Sequence, residues 1–105
     1  MPAEYENPGP TRDEIDATTG PLVLEFGTDW CGYCQGARPH VAAALAEHPA
    51  LPHRKVEDGK GRPLGRSFGV KLWPTLVVLV DGREVGRVVR PQSADDVRAA
   101  LAAVR

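Results

Sequence analysis

The pentapeptide Trp30-Cys31-Gly32-Tyr33-Cys34 constrains the fold of this chain more than any other stretch. It contains the only two cysteines, and it separates an apolar run typical of a buried strand, residues 22–26, from a helical pattern that begins directly after it. Two thiols at positions i and i+3 in the first turn of a helix lie on one face. The free amides of a helix N-terminus favour negative charge, so they should stabilise a thiolate on Cys31. The arrangement predicts a dithiol that cycles between reduced and oxidised states.

Size and charge place the chain among ordinary globular proteins of one domain. Its 105 residues are 42% hydrophobic and 26% charged, and the formal net charge of −1 argues against a nucleic-acid footprint or an electrostatic membrane tether. No apolar run approaches the ~20 residues that a membrane span needs. Residues 1–10 are polar and Pro-rich, so they do not form a secretory signal as written. Two cysteines do not make a disulfide framework, and we therefore take the cytoplasm as the default location.

Periodicity and turn signals predict an α/β order of elements. A capping box of Thr11 and Glu14 precedes a short helix over about 12–18, and Pro39 lies inside a long helix over about 32–47. The remaining elements are strands at 22–27, 53–57, 76–80 and 84–90, a short helix at about 62–68, an Asp81-Gly82 hairpin turn and a last helix capped by Ser93. These elements predict a small mixed sheet flanked by helices on both faces. We expect residues 1–19 to form an N-terminal arm, flexible over 1–10, and a short helix, with the main domain at 20–105.

The cysteine motif at a helix start, Trp73-Pro74-Thr75 ahead of an apolar strand and the order of elements together resemble the thioredoxin family. The resemblance covers roughly residues 20–105, and the first strand of the full thioredoxin fold is not evident. It implies a thioredoxin-like α/β fold and thiol–disulfide exchange, with Cys31 as nucleophile and Cys34 as resolving thiol. It also implies that Pro74 is the cis-proline that faces the disulfide.

The resemblance gives two charged residues a catalytic role. Glu25 falls where many members keep a buried carboxylate that relays a proton to or from the resolving cysteine, and Lys55 falls where some members place a lysine near that acid. From the residues alone, an acid in an apolar strand is costly to bury unless it is neutral or partnered. A solvated face therefore stays open for Glu25, and a solvated surface position is the more ordinary expectation for Lys55.

The predicted substrate-binding surface is a shallow apolar rim beside the dithiol. It comprises Trp30, Gly32, Tyr33, Trp73 and Pro74. Ordinary half-buried aromatics are the alternative for the two tryptophans. Tyr33 replaces the proline of the typical thioredoxin Cys-Gly-Pro-Cys, and Arg90-Pro91 replaces a small pair that often helps to hold substrate. These departures leave the substrate class open.

The sequence predicts a monomeric thiol–disulfide oxidoreductase that reduces protein disulfides. Cys31, expected to be exposed, attacks the substrate disulfide, and Cys34, a turn deeper and in need of a base, then attacks Cys31. No bound cofactor is needed, only electrons from an upstream reductase or a small thiol.

Three alternatives stay open. Tyr33 suggests a glutaredoxin-like or oxidase/isomerase-type member, and a thioredoxin-fold interaction module with an incidental dithiol belongs to a different class. Zinc held by the cysteine pair and two of His40, His48 and His53 is a weaker alternative, because His40 lies on the same helix as the cysteines and is poorly placed to close a tetrahedron.

Overall fold

A four-stranded mixed sheet organises the chain, which the computed structural model describes from residue 4 to residue 104. Within that range the elements are α1 (Arg12–Asp16), β1 (Pro21–Gly27), α2 (Gly32–Leu45), β2 (His53–Glu57), α3 (Pro63–Ser67), β3 (Thr75–Val80), β4 (Arg83–Val89) and α4 (Ala94–Ala100). The strand order is β2-β1-β3-β4, with β1 parallel to β2 and antiparallel to β3. The predicted mixed sheet with flanking helices is confirmed.

Alternation along β1 divides the core into two layers. Leu22, Leu24 and Phe26 pack on one side with residues of α1 and α3, whereas Val23 packs on the other side with α2 and α4. Successive side chains of a strand point to opposite faces, so Glu25 shares the α2 side with Val23. The strand thereby directs one acid towards the helix that begins with the cysteine motif.

Local signals fix several element ends where the sequence predicts them. The capping box of Thr11 and Glu14 is formed in both directions at the start of α1. Asp81 and Gly82 join β3 to β4, and both have positive φ, as the tight hairpin turn requires. Helix α2 continues through Pro39 and ends at Leu45. None of the helices within residues 4–104 is long and apolar enough to cross a membrane.

The N-terminal arm, expected to be flexible over residues 1–10, is docked in the part that the structure describes. Tyr5 is buried, and Glu6 pairs in parallel with Val56 at the outer edge of β2. The Glu6 amide donates to the carbonyl of Lys55 at 2.7 Å, and the Glu57 amide donates to the carbonyl of Glu6 at 3.0 Å. The prediction is wrong here because β2 is an edge strand, whose outer backbone groups need partners, and the arm supplies them. Residues 1–3 lie outside the described range.

Candidate active site

The two cysteines lie where β1 passes into α2. Cys31 is the N-cap of α2, with φ −78° and ψ 120°, and its Sγ accepts a hydrogen bond from the Cys34 amide at 3.3 Å. Both thiols are free. Cys31 is 8% exposed and Cys34 is 1% exposed, so the expectation of an exposed Cys31 is wrong, although it is the more accessible thiol. An amide donor at a helix start stabilises a thiolate on the sulfur that accepts its hydrogen bond.

Cys34 lies in an environment that keeps its proton bound. Burial, followed by the hydrogen bond with Cys31, raises the pKa of Cys34 to about 11, although the backbone of Thr28 and the hydroxyl of Tyr5 act in the opposite direction. Cys34 is therefore a neutral thiol near pH 7. Because only a thiolate attacks a disulfide, Cys34 requires a base before it can react.

Glu25 is buried and has two hydrogen-bond partners, so it does not lie on the solvated face that the sequence left open. The residue is 2% exposed. Its Oε1 lies 2.8 Å from Nε2 of His53, and its Oε2 accepts a hydrogen bond from the Tyr5 hydroxyl at 3.2 Å. These contacts compensate for part of the solvation that the carboxyl group loses on burial.

Lys55 is 2% exposed, so the expectation of a solvated surface position is wrong. It pairs in register with Glu25 across β1 and β2, on the same face of the sheet. Its Nζ lies over the ring of Tyr5, 4.4 Å from the centroid. The docked arm explains the difference, because Tyr5 covers this lysine and its ring offers the ammonium group a cation–π contact.

Tyr5 and His53 belong to the buried cluster, although the sequence does not indicate them as site residues of the dithiol. Tyr5 falls in the segment expected to be flexible, and the sequence suggests His53 only as a possible zinc ligand. One signal in the sequence could have found His53: it precedes Lys55 by two residues in β2, so both side chains lie on the face that carries Glu25. For Tyr5 no comparable local signal exists.

The two tryptophans form the apolar rim that the sequence suggests. Trp30 is 74% exposed and meets Trp73 edge to face, with ring centroids 5.8 Å apart. The indole N–H of Trp73 donates to Oδ2 of Asp58 at 2.8 Å, which fixes the orientation of the ring. The Trp73–Pro74 peptide bond is cis and Pro74 is buried, as the resemblance implies. The role of these residues in substrate binding stays a prediction.

Arg90 contacts the predicted binding surface at Tyr33 and at Trp73. Its guanidinium carbon lies 3.7 Å from the centroid of the exposed Tyr33 ring. Its Nε donates to the carbonyl of Trp73 at 2.8 Å. The two positions that depart from the typical thioredoxin sequence are therefore in direct contact, and they add a cation to the predicted binding surface.

The zinc alternative finds no support in the geometry. Among residues 4–104, no group of three or more His, Cys, Asp or Glu side chains is placed to hold a metal ion. His53, one of the three histidines considered, is engaged with Glu25.

Comparisons with known proteins identify the family of this chain. A family model described as Thioredoxin matches residues 8–103. Thioredoxin of Chlamydia muridarum is 35% identical over 80 residues, which cover 75% of this chain and 78% of that protein. The reduced form of thioredoxin 2 from Pseudomonas aeruginosa PAO1 is 56% identical, with a TM-score of 0.86 and coverage of 96% of this chain and 94% of that one. Fasciola hepatica thioredoxin is 26% identical, with a TM-score of 0.69 and coverage of 89% and 86%. The chain therefore belongs to the thioredoxin family and is a thiol–disulfide oxidoreductase.

Proposed function

We propose that the protein reduces disulfides in other proteins, with Cys31 as the attacking thiolate and Cys34 as the resolving thiol. The asymmetry of the pair carries this proposal. Cys31 is the more accessible sulfur and accepts the amide hydrogen bond at the start of α2. Cys34 is almost completely buried and holds its proton until a base removes it.

Two thiol–disulfide exchanges complete the reaction. The Cys31 thiolate attacks one sulfur of the substrate, so a Cys31–substrate disulfide forms as the substrate S–S bond breaks, and the departing thiolate takes a proton from water. Glu25 accepts the Cys34 proton, and the Cys34 thiolate then attacks Cys31 and releases the second substrate thiolate. Lys55, paired with Glu25 in register, adds positive charge that favours the ionised carboxylate. Two electrons pass to the substrate, and an upstream reductase or a small thiol returns them.

The direction of reduction is supported by the relatives named above that are thioredoxins.

The substrate-binding surface is proposed to be the rim of Trp30, Tyr33 and Trp73 around Gly32. An added Cβ at Gly32 would meet no atom within 4 Å, so the approach to Cys31 is open there. Pro74 has no amide hydrogen to offer the dithiol, and an extended substrate segment would pass along the backbone beside it. We further propose that the protein acts as a monomer in the cytoplasm, as a carrier in electron transport.

The reduction potential of the Cys31–Cys34 pair tests the proposed direction. We expect a value of about −270 mV, the figure typical of thioredoxin, measured by thiol alkylation across a series of dithiol buffers. Cys34→Ser, which cannot form the intramolecular disulfide, supplies the baseline. A value of about −200 mV or higher would contradict the reducing role. Failure to form any intramolecular disulfide would contradict the assignment of the pair as a redox dithiol.

A further inference from the structure

Polar side chains follow one another along the α2 face of the sheet, starting at Cys34. The Tyr5 hydroxyl donates to Oε2 of Glu25 at 3.2 Å. The same hydroxyl and Sγ of Cys34 both lie over Gly27, where an added Cβ would come within 2.8 Å of the Tyr5 oxygen and 2.6 Å of the sulfur. The hydroxyl therefore contacts the acid and lies close to the buried thiol.

The other oxygen of Glu25 is in contact with His53. Nε2 of His53 lies 2.8 Å from Oε1, and the His53 side chain is 4% exposed. This histidine also lines a surface cleft of about 300 Å³ beside the C-terminal end of α2, together with Ala42, Leu45, Ala46, His48, Pro49 and Leu51. Nδ1 of His53 is buried and has no hydrogen-bond partner among the residues that the structure describes. The imidazole is therefore held at the carboxyl group through Nε2 alone.

We propose that the Tyr5 hydroxyl forms a proton relay that carries the proton of Cys34 to Glu25 during resolution of the mixed disulfide, and that His53 positions Glu25 to accept it. The proposal rests on the resolving role of Cys34 given above. It makes Tyr5 a catalytic residue, because its hydroxyl lies beside the reacting sulfur, and His53 a positioning residue that acts through Glu25.

The relay conserves protons at every atom. Cys34 Sγ–H gives its proton to the Tyr5 oxygen while the Tyr5 O–H gives its own to Oε2 of Glu25, so the tyrosine is unchanged and the carboxyl group becomes neutral. The Cys34 thiolate then displaces the substrate sulfur from Cys31. Glu25 keeps this proton on Oε2 until Cys34 has bonded to Cys31 and afterwards loses it to solvent. The Nε2–H of His53 donates to Oε1 throughout, which holds the carboxyl group in place and favours its ionised form before the transfer.

The surroundings favour transfer through Tyr5 over ionisation of Tyr5. Burial, followed by the charge of Glu25, raises the pKa of Tyr5, so its hydroxyl stays neutral and passes protons on. The other titratable groups that face the cluster are Cys31 of α2, Lys55 of β2 and, across the cleft, His48. Lys55 contacts Tyr5 through the face of the ring.

Tyr5→Phe tests the relay, because it keeps the ring beneath Lys55 and removes only the hydroxyl. With insulin as the disulfide substrate, rapid quenching and mass analysis separate the mixed disulfide from the oxidised protein. We expect adduct formation at the wild-type rate, adduct accumulation, and resolution slowed by roughly 10- to 100-fold at pH 7. Resolution in the variant should rise by about tenfold per pH unit from pH 7 to 9, because Cys34 must then ionise into water. A wild-type rate and pH profile in Tyr5→Phe would overturn the proposal.

His53→Leu and His53→Gln together test the positioning role of His53. Leucine removes the donor to Oε1 of Glu25, whereas glutamine retains one. We expect resolution in His53→Leu to slow by about two- to tenfold at pH 7 and to recover as the pH rises to 9, because loss of the donor disfavours the ionised carboxylate. His53→Gln, and His48→Gln in the same cleft, should keep the wild-type rate. Equal slowing in both His53 variants, or a wild-type rate and pH profile in His53→Leu, would overturn this role.

Cys34→Ser distinguishes failure of the relay from failure of the proposed function. If the dithiol acts as proposed, this variant accumulates the insulin adduct and does not resolve it. An absence of adduct in Cys34→Ser would contradict the roles of the two cysteines themselves, and the relay with them. Adduct in Cys34→Ser combined with normal resolution in Tyr5→Phe would contradict the relay alone.

Discussion

At the scale of single residues, Gly27 decides whether the Tyr5 hydroxyl and the Cys34 thiol can lie together. An added Cβ at this position would fall 2.6 Å from Cys34 Sγ and 2.8 Å from the Tyr5 oxygen, closer than real Cβ atoms approach other atoms. Glycine at the end of β1 is therefore a requirement of space. Neither neighbour can move away freely, because one belongs to α2 and the other is held against Glu25.

Replacement of Gly27 by alanine should separate these two groups. We expect Gly27→Ala to lower the free energy of unfolding by about 1–3 kcal/mol, the usual cost of forcing an extra carbon into a packed site. Gly36→Ala is the matched control: its added Cβ meets no atom within 4 Å on the exposed side of α2, so it should stabilise the protein by about 0.5–1 kcal/mol. Urea unfolding of both reduced variants measures the difference. Equal effects at the two positions would contradict the crowding at Gly27.

Local sequence signals identify some of these residues and miss others for a physical reason. The cysteines and Glu25 follow from one strand and the helix start after it, all within ten residues. The partners of Glu25 are far away in the chain, since Tyr5 and His53 are separated from it by 20 and 28 residues. Such contacts depend on which strands become neighbours, and a single-strand pattern does not carry that information.

At the scale of elements, the arm formed by residues 4–10 covers the outer edge of β2 through one isolated parallel β-bridge, between Glu6 and Val56. Strands β1, β3 and β4 are predictable because apolar runs and a hairpin turn mark them. The arm has no such mark: it is polar and contains Pro8 and Pro10, and its pairing depends on the outer edge of β2. Arg54 adds a two-pronged ion pair to Glu6, with N–O distances of 2.6 and 2.9 Å.

Arg54→Gln should loosen the arm without disturbing the sheet. The ion pair is partly exposed and is worth about 0.2–1 kcal/mol, so the Glu57 amide, which donates to Glu6, should exchange with solvent about two- to fivefold faster. The Asp58 amide is the internal control, because it donates to Gly27 at 3.0 Å and reports on the opposite neighbour, β1. Hydrogen exchange followed by NMR gives both rates in one sample. Equal acceleration of both amides would mean that the arm and the sheet open together.

At the scale of the whole molecule, the fold connects thiol chemistry to stability. Folding places Cys34 and Tyr5 in surroundings that disfavour their ionised forms, and burial is the largest cause for both. The folded chain consequently keeps protons that the unfolded chain releases at alkaline pH. Stability should therefore fall as the pH rises above neutrality. It should also fall at acidic pH, because ion pairs such as Glu6–Arg54 lower the pKa of their carboxyl groups and stop stabilising the fold once these groups are protonated.

The alkaline dependence gives a test of how firmly the fold holds the Cys34 proton. The pKa of Cys34 rises from 9.0 to about 11 in the folded protein, so the unfolded state binds fewer protons between these values. The free energy of unfolding of the reduced protein should accordingly fall between pH 9 and 11, by up to about 2–3 kcal/mol. Below pH 8, Cys34 should make no contribution to its pH dependence. Urea unfolding over pH 8–11 measures this loss. The control is Cys34→Ser, which has no thiol proton to lose at this position but retains Tyr5, Cys31 and every lysine. The difference between the two curves therefore reports on the Cys34 thiol together with its interactions with Cys31 and Tyr5. Parallel curves would mean that the fold does not hold this proton, and Cys34 would then need no base in the resolving step.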